Sequence, residues 1–378
     1  MSKYDVIRPY YDEEVAPALD RIAQHPMMKA LMGFTFPELT EEQWLEKIKA
    51  VNSIRDFQTK IIYYSIQNIL AKSSDGFTTS GFEHLDPNLN YLFISNHRDI
   101  ILDTSLLNVA LFEQGKRMTA SAIGDNLVQK TFLLHLSKLN RNFLVQRNLP
   151  PRELLYSSKL MSEYMADLLL GNKSSVWIAQ REGRTKDGND QTQQGVLKMI
   201  GMGAPEGDLM DYFRRIRIVP VSISYEYDPT DALKMPRLLA EANNEKYIKD
   251  KNEDFQTILG GIMGNKKRIH MHVGKVLDVE IDAIQAEHAN TNKQIQSMAS
   301  VLDEHIIKGY RLWPTNFIAY DMLYNTQRFA YQYTEEQKQL FIRRADRRLD
   351  MNNEVARHGL LAMYANPVVN ALQYGSEI

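Results

Sequence analysis

The sequence predicts an α/β protein: a mostly parallel sheet with crossover helices, flanked by N- and C-terminal helical segments. Three observations carry this. Between Gly76 and Ile281 short β-rich runs alternate with stretches of helical period, the pattern of strand–helix–strand units. Outside that region, on both sides, only helical spacing is found. The composition, 44% hydrophobic and 24% charged over 378 residues, is that of an ordinary globular chain long enough for more than one structural unit.

Residues 1–75 read as an N-terminal helical segment. "TEEQWLEKIKAVNSIRDFQTKIIYYSIQNILAK" opens with a capping-box pattern at Thr40, and apolar residues recur at helical spacing through Leu70. Residues 76–281 form the α/β domain. Its strands are read in "FTTSGF", "YLFIS", "MTASAI", "NFLVQ", "SVWIAQ" and "IRIVPVSISYE", with a late strand in "RIHMHVGKVLDV". The polar stretch 228–267 reads as an insertion of short helices and loop. Residues 282–378 form the C-terminal helical segment, punctuated at "LWPTNF" and "ANPVV". No internal repeat or low-complexity tract interrupts the pattern.

A net charge of −2 argues against a surface built for duplex nucleic acid, so no nucleic-acid partner is expected. The absence of cysteine excludes a thiolate nucleophile, disulfides and cysteine metal sites. "MSKYDVIRPYYDEEV" lacks an apolar signal core, and no window approaches the ~20 apolar residues of a membrane span. A cytoplasmic protein is expected, soluble or peripheral on the cytoplasmic membrane face.

The chemistry concentrates in "YLFISNHRDIILDTSLLN", Tyr91 to Asn108, where strand formers give way to His97, Asp99 and Asp103. A kinase catalytic loop would need Asn five residues after Asp99; Thr104 stands there, and neither D-F-G nor an upstream glycine-rich loop is present. Taken alone, the stretch is also explained by Asp99 as N-cap of a helix starting at Ile100, beside a surface histidine. The other strand ends shift the weight. "NFLVQRN" ends at Arg147, "SVWIAQREGRTKDGND" at Arg181, Glu182, Arg184 and Lys186, and "IRIVPVSISYE" carries Pro220 in an apolar strand. In open α/β sheets, sites lie outside the carboxyl ends of the strands. A histidine at one such end and arginines at two others would converge, the first suited to a hydroxyl nucleophile and the second to a phosphate.

The set resembles the glycerophospholipid acyltransferase superfamily, which acylates glycerol 3-phosphate and lysophosphatidate. The family's four ordered blocks look like "NHRDIILD", "NFLVQR", "REGRTKDG" and "IVPVSI", over roughly Phe77 to Glu226. Two departures stand out. Five residues separate His97 from Asp103 where the family has four, and Arg184 follows Gly183 directly. The resemblance implies a glycerol-3-phosphate acyltransferase-like fold and an O-acyltransferase. Its donor would be an acyl thioester, acyl-CoA or acyl carrier protein, and its acceptor a lysolipid or glycerol phosphate. No cofactor or metal is implied.

Acyl transfer from a thioester to an alcohol needs a general base near neutrality, and a carboxylate to hold its tautomer. His97 and Asp103 are the expected pair, with Asp99, explained as a cap, as the rival acid. Arg147 and Arg184 would bind phosphate through bidentate forks, with Arg181 and Lys186 in support. Glu182 would accept from a glycerol hydroxyl, and Gly183 and Gly188 would shape the loop. Two alternatives stay open: an acceptor without phosphate, such as an amino-acid lipid, and a non-catalytic lipid-binding protein. "HMH" at His270–His272 reads as an ordinary strand face. "KIIYYSIQNIL" and "FIRRADRRL" are candidates for contact with a membrane surface, although a packed helix and a solvated one explain them as well.

Overall fold

Alternating and continuous apolar runs build a seven-stranded sheet in the computed structural model, which describes residues 2–375. The strands are β1 Ser74–Ser80, β2 Leu92–Ser95, β3 Thr119–Gly124, β4 Asn142–Val145, β5 Ser175–Ala179, β6 Ile218–Tyr225 and β7 Lys267–Val273, in the order β1-β7-β6-β2-β5-β3-β4. Pairing is parallel from β6 through β4, so five strands end on one edge. β7 is antiparallel to β6 and parallel to β1, so these two run the other way. The sheet is thus mostly parallel, as the alternation of elements predicts.

The central strands β2 and β6 are buried along their whole length, as expected of parallel strands covered on both faces. Side chains alternate between the faces. Phe93, Trp177 and Val219 pack with the helices Tyr63–Ser73 and Leu102–Glu113. Leu92, Ile94, Val176 and Ile178 pack with the helices Pro151–Leu170, Gln194–Gly201 and Thr291–Gly309. Three layers follow: helices, sheet, helices.

The N-terminal helices form a smaller core of their own. Val15, Leu19, Met28, Met32, Ile48 and Phe57 close over Phe132 and Leu139 of the helix Thr131–Leu139. Thr40 caps the helix Glu41–Lys49 in a reciprocal box with Gln43. That helix stops at Ala50, and Ser53 caps the next one. The sheet opens at Ser74, directly from the helix Tyr63–Ser73. Ile61, Ile66 and Ile69 are buried, so "KIIYYSIQNIL" spends its apolar face on the interior.

The stretch 228–267 contains two helices, Asp231–Ala242 and Glu253–Met263. Because β6 and β7 are antiparallel, this connection leaves and returns at the edge where β2, β3, β4 and β5 end. The C-terminal helices pack against it: Ile318, Phe341, Leu360 and Leu361 share a core with Met235. Two of the four arginines of "FIRRADRRL" are consumed there, since Arg344 and Arg348 pair with the fully buried Asp231 at 2.6 and 2.7 Å. Among the described residues no helix is long and apolar enough to cross a membrane.

Candidate active site

β2 ends at Ser95, and the next residues are held by hydrogen bonds rather than by regular structure. Asn96 prolongs the sheet with its side chain: Nδ2 donates to the Ile223 carbonyl at 2.9 Å and Oδ1 accepts from the Ile223 amide at 2.8 Å. His97 follows, edge-on to the Trp177 ring, with centroids 5.5 Å apart. Trp177 is itself pinned, donating from Nε1 to Ser95 Oγ at 3.0 Å.

His97 Nδ1 lies 2.8 Å from Asp103 Oδ2. The same oxygen accepts from the amides of Arg98 at 2.7 Å and Asp99 at 3.0 Å. The other carboxylate oxygen accepts from Tyr225 Oη at 2.8 Å. Asp103 is therefore buried but supplied with donors on both oxygens, the condition for keeping a carboxylate out of water. The extra residue between His97 and Asp103 is absorbed in the turn that folds the Arg98 and Asp99 amides onto the acid. The helix starts at Leu102, two residues later than the cap at Asp99 predicts. Asp99 still serves its first turn, Oδ1 accepting from the Ile101 and Leu102 amides at 2.9 and 2.8 Å. Its Oδ2 has no partner among the described residues and faces Gly261 of the insertion, where an added Cβ would come within 2.1 Å. Burial, then the neighbouring Asp103, raise the Asp99 carboxyl above its usual range. Asp99 makes no hydrogen bond to the imidazole. Nε2 of His97 has no partner among the described residues, and its side chain is 14% exposed.

The loop after β5 wraps around this turn. The Gln180 amide donates to the Ser95 carbonyl at 2.8 Å and the Thr185 amide to the His97 carbonyl at 2.9 Å. Arg98 pairs with Asp190 inside the protein, and Thr185 Oγ1 donates to the same carboxylate at 2.6 Å. Two glycines of positive φ shape the loop: Gly183 at 69° and Gly188 at 78°. At Gly188 the reason is also steric, since a Cβ would lie 2.1 Å from the Met363 carbonyl oxygen. The C-terminal helix Glu354–Gln373 thus presses on the loop, and Asn366 Nδ2 donates to the Asp187 carbonyl at 2.8 Å.

The cations expected at the strand ends divide into two groups. Arg147 is a third exposed and pairs with the exposed Glu182 at 3.0 Å, its amide donating to Asp125 Oδ1 at 3.2 Å. Arg184 turns to the insertion instead, its nearest polar partner being Thr230 Oγ1 at 3.4 Å. Lys186 has neither hydrogen bond nor ion pair among the described residues. Burial, then Arg184, Lys234 and Arg237, lower its pKa from 10.5 to about 7. Lys234 is sealed in, paired with Asp228. Arg181 makes no side-chain hydrogen bond among the described residues, and its Nε is buried. The structure therefore brings His97, Asp103, Asp99, Arg184 and Lys186 to one edge of the sheet. Arg147 and Glu182 lie farther along that edge as a pair.

Sequence reasoning misses Tyr225, Asn96, Trp177, Asp190 and the insertion's Thr230 and Lys234. Asn96, Trp177, Asp190 and Tyr225 all stand within the strand-end stretches that carry the motifs, but nothing local marks their partners. The strand pair "HMH" is tied up in hydroxyl contacts: Thr78 Oγ1 lies 2.8 Å from His270 Nδ1, and Ser80 Oγ 2.8 Å from His272 Nδ1. No group of three or more potential ligands able to hold a metal occurs among the described residues.

Residues 76–224 match the family model described as Acyltransferase. The resemblance drawn from the four blocks is borne out over that segment. No curated protein matches the chain. Among solved structures, that of the 1-acyl-sn-glycerophosphate (LPA) acyltransferase PlsC from Thermotoga maritima is similar to this chain at 11% identity and a TM-score of 0.36, covering 77% of this chain and 91% of that one.

Proposed function

Starting from an acyltransferase domain at residues 76–224, we propose that the protein moves a fatty acyl group from a thioester donor, acyl-CoA or acyl carrier protein, to a hydroxyl of a glycerol-3-phosphate or lysophosphatidate-type acceptor. The observation that carries the reading is His97: one ring nitrogen lies on a buried carboxylate and the other, without a partner among the described residues, stands beside the loop that carries Arg184 and Lys186.

In this mechanism His97 Nε2 takes the proton of the acceptor hydroxyl as its oxygen attacks the thioester carbonyl. Asp103 holds the imidazole with Nδ1 protonated and balances the imidazolium that forms. The tetrahedral intermediate collapses with cleavage of the carbon–sulfur bond. The thiolate leaves and takes the proton back from Nε2. No covalent enzyme intermediate is needed, in keeping with a chain that has no cysteine.

The acceptor's phosphate is assigned to Arg184 and Lys186, with Arg147 nearby. Lys186 is the stronger support, since a largely buried ammonium without a partner is costly unless an anion joins it. The protein works at the surface of the membrane that holds its lipid substrates.

The test is thiol release from acyl-CoA by the purified protein, with product identified by mass spectrometry. Glycerol 3-phosphate, lysophosphatidate and an amino-acid lipid serve as acceptors, and acyl carrier protein as second donor. Turnover only with acceptors lacking phosphate would replace the glycerophosphate reading. No turnover with any pair would leave a lipid-binding protein.

A further inference from the structure

β6 is longer than β2 at the edge where the site lies. Their registered pairs end at Ser95 and Val221, and β6 runs on to Tyr225. Asn96 bridges to Ile223, which keeps the overhang in line. Alternation along the strand places Val219, Val221, Ile223 and Tyr225 in the same core, on the face where the helix Leu102–Glu113 packs. Asp103 stands in the first turn of that helix. Strand overhang and helix start therefore meet, and the Tyr225 hydroxyl donates to Asp103 Oδ1 at 2.8 Å.

Building on the reading of His97 and Asp103 as base and orienting acid, we propose that Tyr225 is a positioning residue for the acid. The two oxygens of Asp103 are supplied unequally. Oδ2 accepts from His97 Nδ1 and from two main-chain amides, whereas Oδ1 has Tyr225 alone among the described residues. Asp103 is 1% exposed, so water does not replace a lost donor without opening the core. Without the hydroxyl, one oxygen is buried unsatisfied, and rotation of the carboxylate that would relieve it breaks the bond to His97. Tyr225 thereby holds the carboxylate plane that aims Oδ2 at the imidazole.

The surroundings show that the hydroxyl serves as a donor. Tyr225 is 4% exposed, and burial, then Asp103 and Asp99, push its pKa far up, so the phenol stays protonated. Tyr225 also borders a small cavity, which it lines together with Arg98, Asp228, Tyr310 and Tyr364. Tyr225 lies one residue beyond the matched acyltransferase segment.

The test uses the full-length protein and the variants Tyr225→Phe, Asp103→Asn and the double variant. The readouts are steady-state kinetics with acyl-CoA and lysophosphatidate, melting temperature, and the low-field proton resonance of His97 Nδ1–H, assigned by its loss in His97→Gln. We expect kcat of Tyr225→Phe to fall roughly ten- to a hundredfold, the effect of one lost hydrogen bond to a charged group, with both KM values within a factor of two. The Nδ1–H resonance should shift or broaden. In the Asp103→Asn background the same change should cost little, because Tyr225 acts through that carboxylate. An unchanged kcat and resonance in a folded Tyr225→Phe protein overturns the proposal. So does an equal loss in both backgrounds, which marks a purely structural role. If the wild-type protein turns over no acceptor, the functional reading fails. The resonance then decides the positioning role by itself.

Discussion

Arg98 and Asp190, ninety-two positions apart, form an ion pair whose side chains are only 6% and 5% exposed. The pair ties the turn that carries His97 to the loop that carries Arg184 and Lys186. Asp190 serves both sides, accepting also from Thr185 Oγ1 at 2.6 Å and lying 3.4 Å from Asn96 Nδ2. Each charge is buried for the other's sake, so the two stand or fall together.

Asp190→Ala should therefore destabilise the fold by about 3–5 kcal/mol, since it strands a buried guanidinium. Glu182→Ala, which breaks the exposed pair with Arg147, should cost less than ~1 kcal/mol. Urea denaturation of the two variants checks the order. Equal effects would mean that Asp190 is hydrated in solution and does not lock the two loops.

His97→Ala should abolish acyl transfer while leaving the melting temperature close to that of the parent. Asp103→Asn should lower turnover by orders of magnitude, because the amide mis-sets the tautomer. Asp99→Asn should cost far less, since Asn keeps the oxygen that caps the helix. Turnover numbers for the three purified variants decide the matter, and a larger loss at Asp99 than at Asp103 would move the orienting role to Asp99.

Arg184→Lys should raise the KM of a phosphate-bearing acceptor about tenfold or more, the effect of losing one bidentate pair of ~1.5–3 kcal/mol. Arg147→Lys should have a smaller effect, because its guanidinium already rests on Glu182 at the solvent boundary. Donor KM should hold in both. Acceptor kinetics unchanged at Arg184 would remove the phosphate from that loop.

Lys186 links stability to pH. Its pKa falls from 10.5 to about 7 through burial and three neighbouring cations. At pH 6 the ammonium is charged in both folded and unfolded chains, and the folded state bears the full cost of burying it. Between pH 7 and 10.5 the folded state sheds the proton while the unfolded chain keeps it, and the cost fades. Lys186→Met should accordingly raise the melting temperature most at pH 6 and progressively less toward pH 10. The same variant should weaken protection by inorganic phosphate at pH 6. A melting difference that does not change with pH would mean that the ammonium is solvated.

Sequence alone determined the layout of the sheet region, because strand runs and helix periods are local properties. "YLFIS" and "IRIVPVSISYE" are strands since continuous apolar residues bounded by polar turns have no better place than a covered sheet. The hold of Asp99 on the start of the helix is equally local, made by amides two and three residues ahead, although the helix begins at Leu102 and not at Ile100. Tertiary structure alone decided which acid meets the imidazole, for that depends on how the turn folds back on the helix. It also split the arginines, sending Arg184 to Thr230 and leaving Arg147 on Glu182. Tyr225, 122 positions from Asp103, and Asn366, 179 from Asp187, reach the site only because β6 overhangs β2 and the last helix closes on the loop. Contacts of that range are set by packing across the whole core, and no short stretch of the chain encodes them.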